Sequence, residues 1–232
     1  MIPLSKIPHF DPLKAPIVGV DHHLRALEVE DTSAQSIRER FLNPAALALT
    51  ASVHHERRFQ EQPLKAAAVL FGLVQREEIM VILTQRSKHL STHSGQIAFP
   101  GGKVDPQDVN PEATALREAH EEVGLNPKYV TVLGRLNPLV TGTAFRITPV
   151  VAWVEPEHEI VANAGEVDQV FEVPLSFLMN PAHHERRQTT HEGQVREWYA
   201  MPYRQGSTER FIWGATANII RSFYAFLAQP LP

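Results

Sequence analysis

The chain of 232 residues contains no cysteine. That absence excludes disulfide frameworks, thiolate nucleophiles and cysteine-held zinc or iron–sulfur centres, so any metal must sit on oxygen or imidazole. Long apolar runs are missing as well. A bilayer-spanning helix takes about 18 or more consecutive apolar residues, whereas the longest run here, 66 to 74, has nine and includes a glycine. No membrane partner is expected. The opening Met1-Ile2-Pro3-Leu4-Ser5-Lys6-Ile7-Pro8 lacks the basic flank and unbroken apolar stretch of a secretory signal, which points to a cytoplasmic protein. Positive charge is scarce too: 22 Lys plus Arg stand against 26 Asp plus Glu. Phosphate-backbone binding draws most of its affinity from a basic excess, so nucleic acid is not expected as a main partner. What is present, 43% apolar residues, is enough for an ordinary globular core.

Four prolines within the first sixteen residues (Pro3, Pro8, Pro12, Pro16) deny a helix its amides and dihedrals, so the chain opens as an extended arm. Ser33 can cap a short helix to about Phe41, and Asn43-Pro44 starts a second that ends near His55. Residues 1–60 thus read as an N-terminal extension, and residues 61–232 as the main domain. Strand candidates are 66–74, 79–83, 96–99, 129–134, 147–154 and 195–200, and helix candidates are 111–123, 175–179 and 215–227. Strands and helices interleave, which argues for an αβ layered domain. The pentapeptide His-His-Glu-Arg-Arg occurs at 54–58 and again at 183–187, but the flanks share nothing and no repeat follows. The pairs His22-His23, His54-His55 and His183-His184 do not read as metal sites, because neighbouring side chains diverge by about 100° on a helix and oppose one another on a strand.

The chemistry concentrates between Phe99 and Leu125. Asn110 is an N-cap, Pro111 a first helical residue, Glu112 an acid suited to the first turn, and Gly124 a C-terminal stop. With Glu118 taken as zero, Glu122 falls near +40° and Glu121 near −60°, while Leu116, Ala119 and Val123 cluster between roughly 100° and 160°. The carboxylates therefore share one face and the core packs on the other. Like charges at three- and four-residue spacing repel. Arg117 stands four residues before Glu121 and can orient it, and a hard divalent cation would compensate Glu118 and Glu122. Taken alone, such a charge run reads as a solvated helix face. The preceding Gly101-Gly102 shifts that balance, since the main chain there can approach a ligand closely.

Joined to Arg117-Glu118-Ala119-His120-Glu121-Glu122-Val123-Gly124-Leu125, this glycine pair resembles the Nudix box of the nucleoside-diphosphate-X hydrolases, in which residues 117 to 125 satisfy every fixed position of the second half. The first half departs from the pattern. Gly102 precedes Arg117 by fifteen positions where the box has fourteen, and Val109 stands where the box has a glutamate. One residue is inserted, and Asp108 is the candidate replacement carboxylate; read alone, it is a loop turn residue. Leu83-Thr84-Gln85-Arg86-Ser87 and His93 to Gly102 resemble the signature of the coenzyme A pyrophosphatase branch, as do Thr148 to Val151, Glu166 to Leu175 and Ile212 to Ala217. Ser91 replaces that signature's arginine.

The resemblance implies an α+β fold, a Nudix-type αβα sandwich with a mixed β-sheet and a catalytic loop-helix-loop. It implies a metal-dependent pyrophosphohydrolase using Mg²⁺ or Mn²⁺ on a small nucleotide-diphosphate substrate, in the form of a homodimer. Coenzyme A or an acyl derivative would yield adenosine 3′,5′-bisphosphate and a phosphopantetheine product. Another nucleoside diphosphate derivative, or a catalytically silent nucleotide-binding module, are the alternatives. Glu118 and Glu122 are the expected metal ligands, and Glu121 is a third ligand or the group that orients the attacking water. Arg117 would hold Glu121, and Glu166 is the candidate base outside the helix. Arg86, Gly101 and Gly102 are the expected substrate contacts.

Overall fold

The computed structural model describes residues 4, 7–43, 63–90 and 92–229. In chain order the first elements are β1 (Ile17–Val20), α1 (Ala34–Phe41), β2 (Lys65–Gln75), β3 (Ile79–Arg86), β4 (Ile97–Ala98) and β5 (Gly101–Lys103). Then come α2 (Pro111–Val123), β6 (Val130–Arg135), β7 (Leu139–Val140), β8 (Phe145–Val154), β9 (Val167–Pro174) and the single turn α3 (Leu175–Leu178). The chain closes with β10 (Glu185–His191), β11 (Gln194–Gln205), β12 (Thr208–Trp213) and α4 (Gly214–Leu227). The expected second helix, 44–55, and Ser91 lie outside the described residues, as does the first copy of the pentapeptide.

Side-chain alternation explains why the central strands are apolar throughout. Ala68, Leu70 and Val74 of β2 join one buried cluster with Ala115, Ala119 and Val123 of α2. Phe71 and Leu73, pointing the other way, pack with Ile220, Phe223 and Leu227 of α4. Both faces are covered, so neither can be polar. Phe71 sits 4.6 Å from the Phe99 ring and 4.7 Å from that of Phe223, and large apolar side chains buried this completely contribute roughly 1.5–3 kcal/mol each.

The main sheet runs β4-β3-β2-β8-β6, with β5 on β2, β7 on β8 and β9 on β3. It is mixed: β2 and β8 run parallel from Lys65 opposite Phe145 to Val74 opposite Val154, while β3, β5 and β6 pair antiparallel to their neighbours. With α2 on one face and α4 on the other, this is the expected α+β sandwich. No helix among the described residues is long and apolar enough to cross a membrane.

A second, four-stranded antiparallel sheet, β1-β10-β11-β12, was not visible in the sequence beyond the core of β11. It draws the N-terminal segment onto the main domain. Arg187 of β10, buried and stacked over Phe211, donates to the carbonyls of Leu13 at 2.6 Å and Ala15 at 3.2 Å. Phe10 meets Trp198 and Trp213 at ring separations of 5.4 and 6.0 Å. Asp21, buried, receives Arg221 Nε at 3.1 Å and lies 3.4 Å from Arg186 Nε. His183 and His184 diverge onto different carbonyls, those of Phe177 and Leu178. Burial lowers the His184 imidazole to about 4, so it stays neutral.

Candidate active site

Helix α2 starts and stops on local chemistry. Asn110 Oδ1 accepts from the Ala113 amide at 2.8 Å, Pro111 follows at the first position, and Gly124 terminates the helix at φ 69°. That left-handed turn suits glycine, which has no β-carbon to clash. Its core face, Ala115, Ala119 and Val123, fixes the rotation of the helix against the sheet. Glu122 borders that face and is buried, Glu118 is partly covered, and Glu121 points to solvent with a side-chain exposure of 53%.

Arg117 is a hub. Its Nε and Nη2 reach Asp108 Oδ1 and Oδ2 at 3.1 and 2.8 Å, its Nη1 reaches Glu118 Oε1 at 2.9 Å and Glu121 Oε2 at 3.1 Å, and Nη2 also donates to the Lys103 carbonyl at 3.0 Å. Sequence spacing showed the Glu121 contact alone. Asp108 is held in turn by the Asp105 amide, which donates to its Oδ2 at 2.8 Å. The guanidinium, ahead of the amide, keeps the Asp108 carboxyl well below the usual carboxylate range, and Asp108 raises Arg117 correspondingly.

Glu122 is fixed from two other elements. The Gly101 amide of β5 donates to its Oε2 at 3.0 Å, and Arg86 Nη1 at the end of β3 lies 3.3 Å from its Oε1. Burial pushes the Glu122 carboxyl up to about 7, with Glu118 and Glu166 adding to the rise and the Gly101 amide and Arg86 opposing it. Glu118 is raised as well, again by burial first, and both Glu121 and Glu166 reinforce it. Gly102 makes room for Glu118, since a β-carbon built there would stand 2.5 Å from its Cδ.

Glu166 arrives on the loop before β9. The Asn163 amide donates to the Glu122 carbonyl at 2.9 Å, the Glu166 amide donates to the Asn163 carbonyl at 2.9 Å, and the Ser87 amide donates to the Glu166 carbonyl at 2.8 Å. The loop thus uses the open C-terminal carbonyls of α2 as its anchor. Asn163, missed in the sequence, fastens Glu166 to the helix; the small-residue run Ala162-Asn163-Ala164-Gly165 was its only signal there.

Glu118, Glu121, Glu122, Arg117, Arg86, Gly101, Gly102, Asp108 and Glu166 therefore meet in one region drawn from four parts of the chain. Arg86 contacts a carboxylate here rather than standing free. Among the described residues, no three acidic or imidazole side chains are already gathered at metal-holding distances; the acids are tied to Arg117, Arg86 and the Gly101 amide instead. The donor chemistry still fits a hard divalent cation, because all the groups are carboxylate oxygens and the crowded acids raise the proton affinity of both Glu118 and Glu122.

A family model described as the NUDIX domain matches residues 63–219. An uncharacterized Nudix hydrolase NudL of Enterobacter sp. (strain 638) is 42% identical over 162 residues, covering 68% of this chain and 80% of that protein. A protein of the same name from Salmonella heidelberg (strain SL476) is 40% identical over 196 residues, 82% and 94% of the two chains. Of the solved structures, a C. elegans Ap4A hydrolase binary complex aligns with a TM-score of 0.42 at 20% identity, over 47% of this chain and 80% of that one. A domain match over most of the chain, with relatives this similar along most of their own length, makes the protein a member of the Nudix hydrolase family.

Proposed function

We propose that this hydrolase cleaves the diphosphate of coenzyme A or an acyl-coenzyme A, releasing adenosine 3′,5′-bisphosphate and a phosphopantetheine product, with Mg²⁺ or Mn²⁺ held by Glu118 and Glu122. The observation that carries the reading is the convergence of Glu118 and Glu122 from α2 with Glu166 from a separate loop, close enough for Glu166 to raise the proton affinity of both. The divalent cation would neutralise diphosphate charge and activate water. Water adds its oxygen to one phosphorus, the bridging P–O bond breaks, and the water proton passes to a carboxylate. Glu166, exposed at the mouth of this acidic group, is our candidate acceptor. Glu121 serves as a third ligand or orients the water, and Arg117 holds Glu118 and Glu121 at fixed positions. Arg86 supplies a planar fork for phosphate at the site's edge, and Gly101 and Gly102 let the main chain come close to the substrate.

In the same reading residues 61–232 are the hydrolase domain, preceded by an N-terminal extension, and the protein works in the cytoplasm. Incubation with coenzyme A and either cation, followed by mass-spectrometric product identification, tests the substrate. Adenosine bisphosphate with a phosphopantetheine product is expected. Turnover of a different nucleoside diphosphate derivative alone would refute the coenzyme A assignment, and binding without turnover in saturating metal would refute catalysis.

A further inference from the structure

Glu166 stands where its charge is opposed. It lies close enough to Glu118 and Glu122 to raise the proton affinity of both, and among the described residues no cation pairs with its carboxylate. Arg117 and Arg86 are spent on the helix acids. Repulsion between like charges drives an exposed side chain in such a place toward solvent, so the position of Glu166 must be set by its main chain.

That main chain hangs on one residue. Three successive amides converge on Asn163: Gly165 donates to its side-chain Oδ1 at 3.1 Å, and Glu166 and Val167 donate to its carbonyl at 2.9 Å each. The Asn163 amide in turn donates to the Glu122 carbonyl at 2.9 Å, and the Ser87 amide takes the Glu166 carbonyl at 2.8 Å. The turn that carries one acid is thus fastened to the helix residue that carries another. A side-chain oxygen accepting from the amide two residues on is what favours asparagine and aspartate in such turns. Ala162, Ala164 and Gly165 have no polar side chain, so within this segment only Asn163 can brace the turn in that way. Asn163 is exposed, which separates the role from one in packing.

We infer that Asn163 is a positioning residue: its side chain holds Glu166 beside Glu118 and Glu122, and it acts on hydrolysis only through Glu166. The inference rests on the proposed role of Glu166 as proton acceptor. A double-mutant cycle tests it, with initial rates at saturating Mg²⁺ on whichever coenzyme A compound or other nucleoside diphosphate derivative is cleaved. Asn163→Ala should lower kcat about ten-fold with KM within about two-fold, because small misplacements of reacting groups cost rate steeply. In the already impaired Glu166→Gln background the same change should alter kcat by less than about two-fold, the non-additivity of residues that act as one unit. Asn163→Asp, which keeps the accepting oxygen, should recover most of the kcat lost in Asn163→Ala. Equal losses in the two backgrounds, or an Asn163→Asp as slow as Asn163→Ala, overturn the inference and leave hydrolysis standing. Glu166→Gln at the wild-type rate refutes the acceptor role itself, and with it any effect of Asn163 on rate. Should no diphosphate be cleaved, amide hydrogen exchange decides the turn: the Gly165 and Glu166 amides should exchange about ten-fold faster in Asn163→Ala than in the wild type, since their protection reflects the local opening of that turn. Unchanged exchange at both amides sinks the inference.

Discussion

Arg117 and Asp108 meet fork to fork, Nε on Oδ1 at 3.1 Å and Nη2 on Oδ2 at 2.8 Å, across nine residues of sequence. Asp108 turns inward, its side chain 6% exposed, while its neighbour Val109 is 87% exposed.

Asp108→Asn should therefore loosen Arg117 and, through it, Glu118 and Glu121. A loss of about ten-fold in kcat with little change in KM is expected, because small misplacements of positioned groups cost rate steeply. Restoring the box glutamate with Val109→Glu should not rescue that variant, since the new carboxylate would face solvent. Recovery of activity in the double variant would disprove the assignment.

Glu122 holds its proton up to about 7 in the fold against an ordinary value of 4.5. The folded chain therefore takes up a proton between those pH values, and the metal-free protein loses stability as pH rises through them, by at most about 3 kcal/mol. Glu122→Gln removes the cost. With chelator present it should melt near the wild type at pH 5 and several degrees above it at pH 8, while losing most hydrolytic activity. A variant that melts below the wild type at pH 8 would contradict the buried-carboxylate account.

Gly101 and Gly102 should respond differently to alanine. At Gly101 the new β-carbon would stand 2.5 Å from the Ala68 carbonyl oxygen and 2.6 Å from Val69 Cα, main-chain atoms of a central strand. Gly101→Ala should cost about 1–3 kcal/mol of stability, as overpacking of a rigid core does. At Gly102 the obstacle is the movable Glu118 carboxylate, so Gly102→Ala should keep its melting temperature and lose activity about ten-fold or more. Thermal melts and initial rates on both variants separate the two cases.

Asp21 neutralises two arginines, with Arg221 Nε at 3.1 Å and Arg186 Nε at 3.4 Å. Removing one member of a buried ion group leaves uncompensated charge and costs about 3–5 kcal/mol. Asp21→Ala should lower the melting temperature by on the order of 10 °C. A shift under about 2 °C would show that the N-terminal segment contributes little to the fold.

Helix α2 was readable residue for residue, because its cap, its first-turn proline, its glycine stop and its apolar spacing all act within a few positions of one another. The apolar runs of β2, β3 and β8 announced strands covered on both faces over 66–74, 79–83 and 147–154, and the structure extends each into flanking residues, to Lys65–Gln75, Ile79–Arg86 and Phe145–Val154. β10 was not readable: Glu185-Arg186-Arg187-Gln188-Thr189-Thr190-His191 looks like solvated loop, and pairs as a strand because β1 and β11 lie on either side of it. β9 alternates Val167, Phe171 and Val173 with polar residues, yet its place beside β3 is set by long-range pairing.

By itself the sequence determined the acidic helix, its glycine-rich approach and the layered α+β class, since these depend on local hydrogen bonding and on the period of apolar side chains. Only the tertiary structure decided that Asp108 holds Arg117, that Arg86 and the Gly101 amide share Glu122, and that Glu166 joins them from a distant loop. Those contacts form between groups brought together by packing on the sheet, and their strength depends on burial, which no spacing along the chain encodes.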